Sequence, residues 1–322
     1  MKVIITDCDH ENIDIEKKVF LDAGMEVELK KARTEEEVIE QCKGGEILIV
    51  QYAQITEKVM EAIPELKYVV RYGVGVDTVD VEAATRHGIQ VGNVPDYGMN
   101  EVADHAIALL VTLKRKIVQM NSFTKSEKWD YSKSIPIHRF SEETVGVVGL
   151  GRIGRCFAQR ANALGFKVIG YDPYYKQTEE TSFITPVTFD ELVEKSDAIS
   201  LHCPADGNQN LFNEETFKKM KNEAVIINVA RGGIINEYDL NKSLENKEIA
   251  GAGIDCMKKE PMTFDAPIFN NENLIVTPHM AWYSEEAALE LKRKVAEESV
   301  RFAKGEMIHY PVNHLNKSKE VR

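Results

Sequence analysis

Short runs of β-branched and other apolar residues alternate with helical stretches almost from end to end of the chain. This rhythm constrains the fold more than any other feature. Residues 3–6, 47–50, 68–70 and 89–91 form one series of such runs. Residues 145–148, 168–171, 198–201, 225–228, 251–254 and 275–276 form a second. Runs this short, separated by helices rather than by tight turns, pair in parallel with crossover helices on both faces. Helical patterns cover residues 11–23 and 56–62, and a long one covers about 100–123, with Val102, Ala106, Leu109, Leu110, Leu113 and Ile117 at helical spacing. Residues 125–139 read as a loop or short helices, and a last helix is expected over 285–304. A chain of 322 residues exceeds one ordinary domain. The expectation is an α/β protein of two Rossmann-like or flavodoxin-like parallel-sheet domains.

Charge narrows the partners. Forty Lys and Arg against 52 Asp and Glu leave a net charge of −12, which disfavours nucleic acid and an anionic membrane surface. No run of about 18 apolar residues could span a bilayer, and the start turns acidic too early for a signal peptide. The five cysteines form no CxxC pair and read as small buried thiols in a reducing cytoplasm. No HxxxH, HExxH or paired-carboxylate run suggests a metal.

The strongest local motif is Gly149-Leu150-Gly151-Arg152-Ile153-Gly154. It follows an apolar run and opens a helical stretch, residues 155–164. A second apolar run then ends at Tyr171-Asp172, 18 residues beyond Gly154. That is the full strand–turn–helix–strand–acid context of a dinucleotide site. Gly149 permits the tight turn, Gly151 lets backbone approach a pyrophosphate, and Gly154 lets helix and strand pack closely. Asp172 can accept from a ribose diol and repels a 2′-phosphate, so NAD is expected rather than NADP.

Three polar residues stand just past the carboxyl ends of predicted strands, where ligands bind in open α/β sheets. Arg231 precedes two glycines and could clamp a carboxylate by two parallel bonds. Glu260 follows the run ending near Asp255, and His279 follows residues 275–276. In one cleft a histidine and a carboxylate form an acid–base pair, the carboxylate stabilising the imidazolium. Spacing alone leaves the plain readings open: a solvated charge for Arg231 and Glu260, a structural imidazole for His279. Among the other histidines, His10, His87, His138, His309 and His314 stand in polar surroundings. His105 packs on the long helix or at an interface, and His202 lines the cofactor cleft through its backbone. The turn Arg71-Tyr72-Gly73-Val74-Gly75-Val76-Asp77 exposes backbone N–H groups that could hold a small anion.

The order of these motifs resembles the D-2-hydroxyacid dehydrogenase family over about residues 47–311. The resemblance runs through RYGVGVD, Asn93-Val94-Pro95, GLGRIG, Leu201-His202-Cys203-Pro204, NVARGG, the stretch 253–261 and Thr277-Pro278-His279. It implies that Arg231 binds the substrate carboxylate, His279 exchanges the proton with the keto oxygen, and Glu260 orients His279. It implies cofactor contacts from Gly149, Gly151, Arg152, Ile153, Gly154, Asp172, Cys203, Pro204, Val229, Ala230 and Asp255, the last beside the nicotinamide. Substrate contacts would come from Tyr52, from the backbone around Tyr72, Gly73 and Val74, and from Trp282 as an apolar wall. The implied fold is discontinuous: residues 1–100 with 288–322 form the substrate domain, and 101–287 the NAD domain. The long helix after Asn100 would help form a homodimer. Ala281-Trp282-Tyr283-Ser284-Glu285 is most similar to the C-terminal-binding-protein branch.

There are departures. Phosphoglycerate dehydrogenases commonly carry an arginine after the second strand, where Val50-Gln51-Tyr52-Ala53 offers no cation. Cys256 and Met257 replace the usual residues without removing a catalytic group. The resemblance therefore implies an NAD-dependent reductase of a small 2-oxo acid, one whose apolar or thioether side chain suits Tyr52 and Trp282. The alternatives are a phosphoglycerate dehydrogenase, a glyoxylate or hydroxypyruvate reductase, and, in another class, an NADH-sensing scaffold like the corepressors.

Overall fold

The computed structural model describes residues 1–315. The chain forms two compact units, one from Met1–Gly98 with the chain from Ser284 onward, the other from Met99–Tyr283.

The first unit holds five strands, β1 (Val3–Ile5), β2 (Val27–Leu29), β3 (Ile47–Val50), β4 (Tyr68–Arg71) and β5 (Gln90–Gly92), in the order β2-β1-β3-β4-β5. Every pairing is parallel. β1 and β3 are buried along their whole length, which is why they read as unbroken apolar runs. β2 was not anticipated: it is a three-residue edge strand, Val-Glu-Leu, mostly exposed, with no alternation long enough to register. The helix Glu285–Ala303 belongs to this unit and packs on the helix Asp14–Asp22 and on β4. Its buried face is Ala287, Leu291, Val295, Ala296 and Ser299, a helical repeat, and the Ser284 hydroxyl caps it by accepting from Ala287 N–H at 2.9 Å. Phe302 near its end stacks on Tyr68 with centroids 4.6 Å apart. The chain then returns to the sheet edge, where Pro311 bridges Gly92 and the Asn313 carboxamide pairs with Gln90, Val91, Ile89 and Thr85.

The second unit holds β6 (Thr144–Val148), β7 (Lys167–Tyr171), β8 (Ile184–Pro186), β9 (Ala198–Leu201), β10 (Val225–Asn228), β11 (Gly251–Ile254) and β12 (Leu274–Val276). The order is β12-β11-β10-β9-β6-β7-β8, parallel throughout, so the winding reverses between β6 and β9. Such a reversal leaves a crevice at the strands' carboxyl ends. β8, also unanticipated, is a short edge strand ending in a proline, where a missing N–H costs no ladder bond.

The single long helix expected over about 100–123 is instead two, Met99–Lys114 and Ile117–Lys125. The first buries Ala103, Ala106, Leu109, Leu110 and Leu113, and the glycines of β11 let it lie close: a Cβ on Gly253 would sit 3.1 Å from Leu109 Cβ. The apolar stripe ends at Leu113, Lys116 turns into the left-handed region (φ 54°), and the second helix buries nothing within the unit.

Candidate active site

The carboxyl ends of six strands of the second unit carry the sequence-predicted groups. After β6, Gly149 has φ 89°, a conformation that favours glycine, and a Cβ there would lie 2.7 Å from Cys203 N. Gly151 is the residue before the helix Arg152–Ala163, and a Cβ on it would meet nothing within 4 Å. That open space is where the backbone can approach a phosphate. On Gly154 a Cβ would lie 1.9 Å from Gly149 O, so only glycine allows this helix to sit so close to the turn. The helix begins at Arg152, three residues earlier than the spacing suggested, which puts the Arg152 and Ile153 N–H groups in its first turn, without intrahelical partners. Asp172, after β7, accepts from Leu150 N–H and Tyr174 N–H, both at 2.8 Å. Its carboxylate thus fixes the glycine turn while keeping further lone pairs for a ribose. The residues present fit a dinucleotide.

After β9, His202 is half-buried with its ring beside Phe157, and desolvation of the ring lowers its pKa to about 3, so it is a neutral structural ring held by Ser200 Oγ at 2.9 Å. Burial, with the Asp172 carboxylate, pushes the Cys203 thiol up to about 11, so it stays protonated. Pro204 follows and presents its carbonyl to the Asn208 amide.

After β10, the buried Asn228 side chain accepts from Ala230 N–H at 3.1 Å and donates to Arg231 O at 2.9 Å, which shapes the Val229-Ala230-Arg231 segment. Sequence reasoning missed this role; an amide closing a strand just before the arginine was the available signal. Gly232 then packs on the Met257–Lys258 backbone, where a Cβ would lie 2.0 Å from Met257 C. That contact sets the Arg231 loop against the Glu260 loop. Glu260 accepts from Met257 N–H through one oxygen at 2.8 Å, and its other oxygen stands 2.6 Å from His279 Nδ1. Burial alone would raise the Glu260 carboxyl, but the His279 hydrogen bond and charge, the Met257 N–H and the Arg231 charge outweigh it and hold the group below its usual range. Arg231, Glu260 and His279 are thereby brought together.

Asp255 is 2% exposed, and both of its oxygens are engaged by the protein. One accepts from Thr277 Oγ at 2.6 Å and Met280 N–H at 3.0 Å; the other accepts from Ala281 N–H at 2.8 Å. Rather than presenting a free carboxylate, it holds the Thr277 hydroxyl on one side of His279 and the Met280 and Ala281 backbone on the other. That residue has φ 54°, a conformation non-glycine residues adopt only when the surroundings impose it. Trp282 is half-buried, edge-on to Tyr283 at 5.5 Å.

In the first unit, Gly73 has φ 134° and its carbonyl accepts from Val94 N–H at 2.9 Å, while Asn93 donates to Val74 O at 2.6 Å. Tyr72 is buried, its phenol donating to Glu16 at 2.8 Å, so this residue offers a ligand only its backbone. Tyr52 is 44% exposed on the loop after β3. Asp7 pins that loop by accepting from the Gln51, Tyr52 and Ala53 N–H groups. The Arg33 guanidinium lies 5.0 Å over the Tyr52 ring and pairs with Asp9. A cation absent from residues 50–53 therefore arrives from elsewhere in the sequence. Among the described residues no group of three or more His, Cys, Asp or Glu could hold a metal ion, and no helix is long and apolar enough to cross a membrane.

Residues 107–281 match the family model described as D-isomer specific 2-hydroxyacid dehydrogenase, NAD binding domain. The chain is 36% identical to the D-3-phosphoglycerate dehydrogenase of Archaeoglobus fulgidus over 97% of its own length and 59% of that protein's. It therefore spans about three-fifths of the length of that relative. With the glyoxylate reductase of Korarchaeum cryptofilum it shares 34% identity over 87% of this chain and 85% of that one. The crystal structure of D-lactate dehydrogenase from Aquifex aeolicus, complexed with NAD and lactic acid, superposes with a TM-score of 0.89 at 25% identity, covering 98% of this chain and all of the other.

Proposed function

The chain belongs to the D-isomer-specific 2-hydroxyacid dehydrogenase family, and on that premise we propose that it is an NAD-dependent oxidoreductase reducing a small 2-oxo acid to the D-2-hydroxy acid. The observation that carries the reading is the 2.6 Å pairing of His279 with Glu260 next to the Arg231 loop. In this assignment Arg231 clamps the substrate carboxylate. Because Nδ1 of His279 faces Glu260, Nε2 is the atom that gives its proton to the keto oxygen, and takes it back in oxidation. Glu260 accepts the Nδ1 proton, holds the ring in place and stabilises the imidazolium. The dinucleotide, when bound, supplies or accepts the hydride. Gly149, Gly151, Arg152, Ile153, Gly154 and Asp172 would hold it, with Cys203, Pro204, Val229 and Ala230 lining the same strand ends. The second unit would be the NAD domain and the first, with Tyr52 and the Tyr72-Gly73-Val74 backbone, the substrate domain.

The exposed side chains Ile117, Val118, Trp129, Tyr131 and Ile135, all between the helix Met99–Lys114 and β6, support a homodimer formed through that region. Five free thiols suit a reducing cytoplasm.

A second reading keeps the chemistry and changes the substrate. Arg33 lies over Tyr52 and, by exchanging its pairing with Asp7 and Asp9, would receive a 2-oxo acid with a second anionic group, such as a phosphorylated one. NADH consumption across glyoxylate, pyruvate, hydroxypyruvate, 2-oxoisocaproate, 4-methylthio-2-oxobutyrate and phosphohydroxypyruvate tests both, with Arg33→Met beside wild type. Preference for the phosphorylated acid, lost in the variant, selects the second reading. Preference for the apolar acids, indifferent to the variant, selects the first. Tight NADH binding with no turnover on any acid would refute the enzyme reading in favour of a sensing scaffold.

A further inference from the structure

His105 takes no part in the proposed chemistry, yet it ends a chain of polar contacts that leads to His279. It lies on the helix Met99–Lys114, largely covered, with Nε2 2.9 Å from Thr277 Oγ and 3.7 Å from the nearer Asp255 oxygen. The directions of these bonds can be worked out. An ionised Asp255 only accepts, so the single Thr277 hydroxyl proton points to it across 2.6 Å. Thr277 Oγ then has only lone pairs to offer His105, so the proton of that contact belongs to His105 Nε2. The series runs one way, His105 N–H to Thr277 O–H to the Asp255 carboxylate. Asp255 in turn accepts from Met280 N–H and Ala281 N–H, while Thr277 N–H donates to Ile254 O on β11. Both flanks of His279 are thus fixed to one carboxylate, and His279 itself carries the left-handed backbone. Bonds in series in a low-dielectric interior polarise one another, so the outermost donor strengthens the innermost grip.

We propose that His105 is a positioning residue for His279: by donating to Thr277 it fixes the Asp255 carboxylate, which holds the strained segment 277–281 so that the His279 ring meets Glu260. The inference rests on His279 being the proton donor of the proposed reaction, but its structural half can be read without turnover.

The test uses the full-length protein with His105→Phe, which keeps a ring and removes the donor, and His105→Gln, whose amide nitrogen can replace Nε2. Thr277→Val breaks the next link while keeping the shape, and so serves if the phenylalanine variant fails to fold. Two readouts are taken: the nitrogen NMR shift of His279 Nδ1, which reports its bond to Glu260, and steady-state kinetics. The expected result is loss of the Nδ1 signature and a fall in kcat of about tenfold to a hundredfold in His105→Phe and Thr277→Val. KM and NADH affinity should be retained, and both signals restored by His105→Gln. The double variant should lose little more than either single one, because both break one series. An unmoved Nδ1 signature, or wild-type kcat in both disrupting variants, overturns the proposal. If wild type turns over no 2-oxo acid but the signature still depends on His105, the activity reading fails and the positioning role stands.

Discussion

Replacing Gly232 with alanine puts the relation between the Arg231 and Glu260 loops under direct strain. A Cβ there would stand 2.0 Å from Met257 C, 2.2 Å from Lys258 N and 2.3 Å from Met257 O, where ordinary contact begins at 3.4 Å. The loops must separate by about 1.4 Å (3.4 less 2.0), and the obstacle is backbone on both sides, so no flexible side chain can absorb the shift. Overpacking of this kind costs about 1–3 kcal/mol. For a unit of this size that lowers the melting temperature by about 2–12 °C. The catalytic cost is larger, because Met257 N–H holds Glu260: a displacement of about 1 Å in a reacting constellation costs on the order of a hundredfold in kcat/KM. Gly233 is the internal control, since a Cβ on it meets nothing within 4 Å and its φ is not in the left-handed region. Differential scanning calorimetry and steady-state kinetics on both variants give the answer. A Gly232→Ala protein with wild-type melting and kcat/KM, or a Gly233→Ala protein equally damaged, would refute the reasoning.

Three other outcomes follow from the structure. His279→Ala should lose about a hundredfold to ten-thousandfold in kcat with NADH affinity retained, whereas Arg231→Ala should lose kcat and raise KM together; full kinetic curves and NADH fluorescence titration separate the two. Burial raises the Glu16 pKa, so the folded state holds that proton more tightly than the unfolded chain, and stability from this group grows as pH falls through the raised value and is lost above it. Glu16→Gln keeps an acceptor for Tyr72, so its melting temperature should exceed wild type at about pH 8 and converge with it near about pH 4. Asn313→Ala should destabilise the first unit by about 1–3 kcal/mol in urea unfolding, because Val91 N–H is left buried without its 2.7 Å partner.

Much of this was legible along the chain. β3, β6, β9 and β10 are almost wholly buried, so apolar residues predominate along them and the strands announce themselves as short runs. β2 and β8 sit at sheet edges with one face in solvent and three residues each, too short for a period. The break at Lys116 was hidden because Ile117 continues the helical spacing although its side chain is exposed. Arg231, Glu260 and His279 could be singled out because each follows a strand, and parallel strands bring their carboxyl ends to one edge. What spacing could not reveal was contact between distant segments. Arg33 reaches Tyr52 because β1 lies between β2 and β3 and its Asp7 gathers the loop, a consequence of strand order. The grip of Asp255 on the segment around His279 depends on β11 and β12 being neighbours, and its link to His105 on a helix packed across them.

The central claim is that the chain turns a 2-oxo acid into the D-2-hydroxy acid at the expense of NADH. The most direct measurement is chiral chromatography of the product formed by purified protein from NADH and its preferred 2-oxo acid. The account predicts one D-2-hydroxy acid molecule per NADH consumed, formed at least about a hundredfold more slowly by His279→Ala at the same enzyme concentration. An L or racemic product, or undiminished D product from the variant, would contradict it.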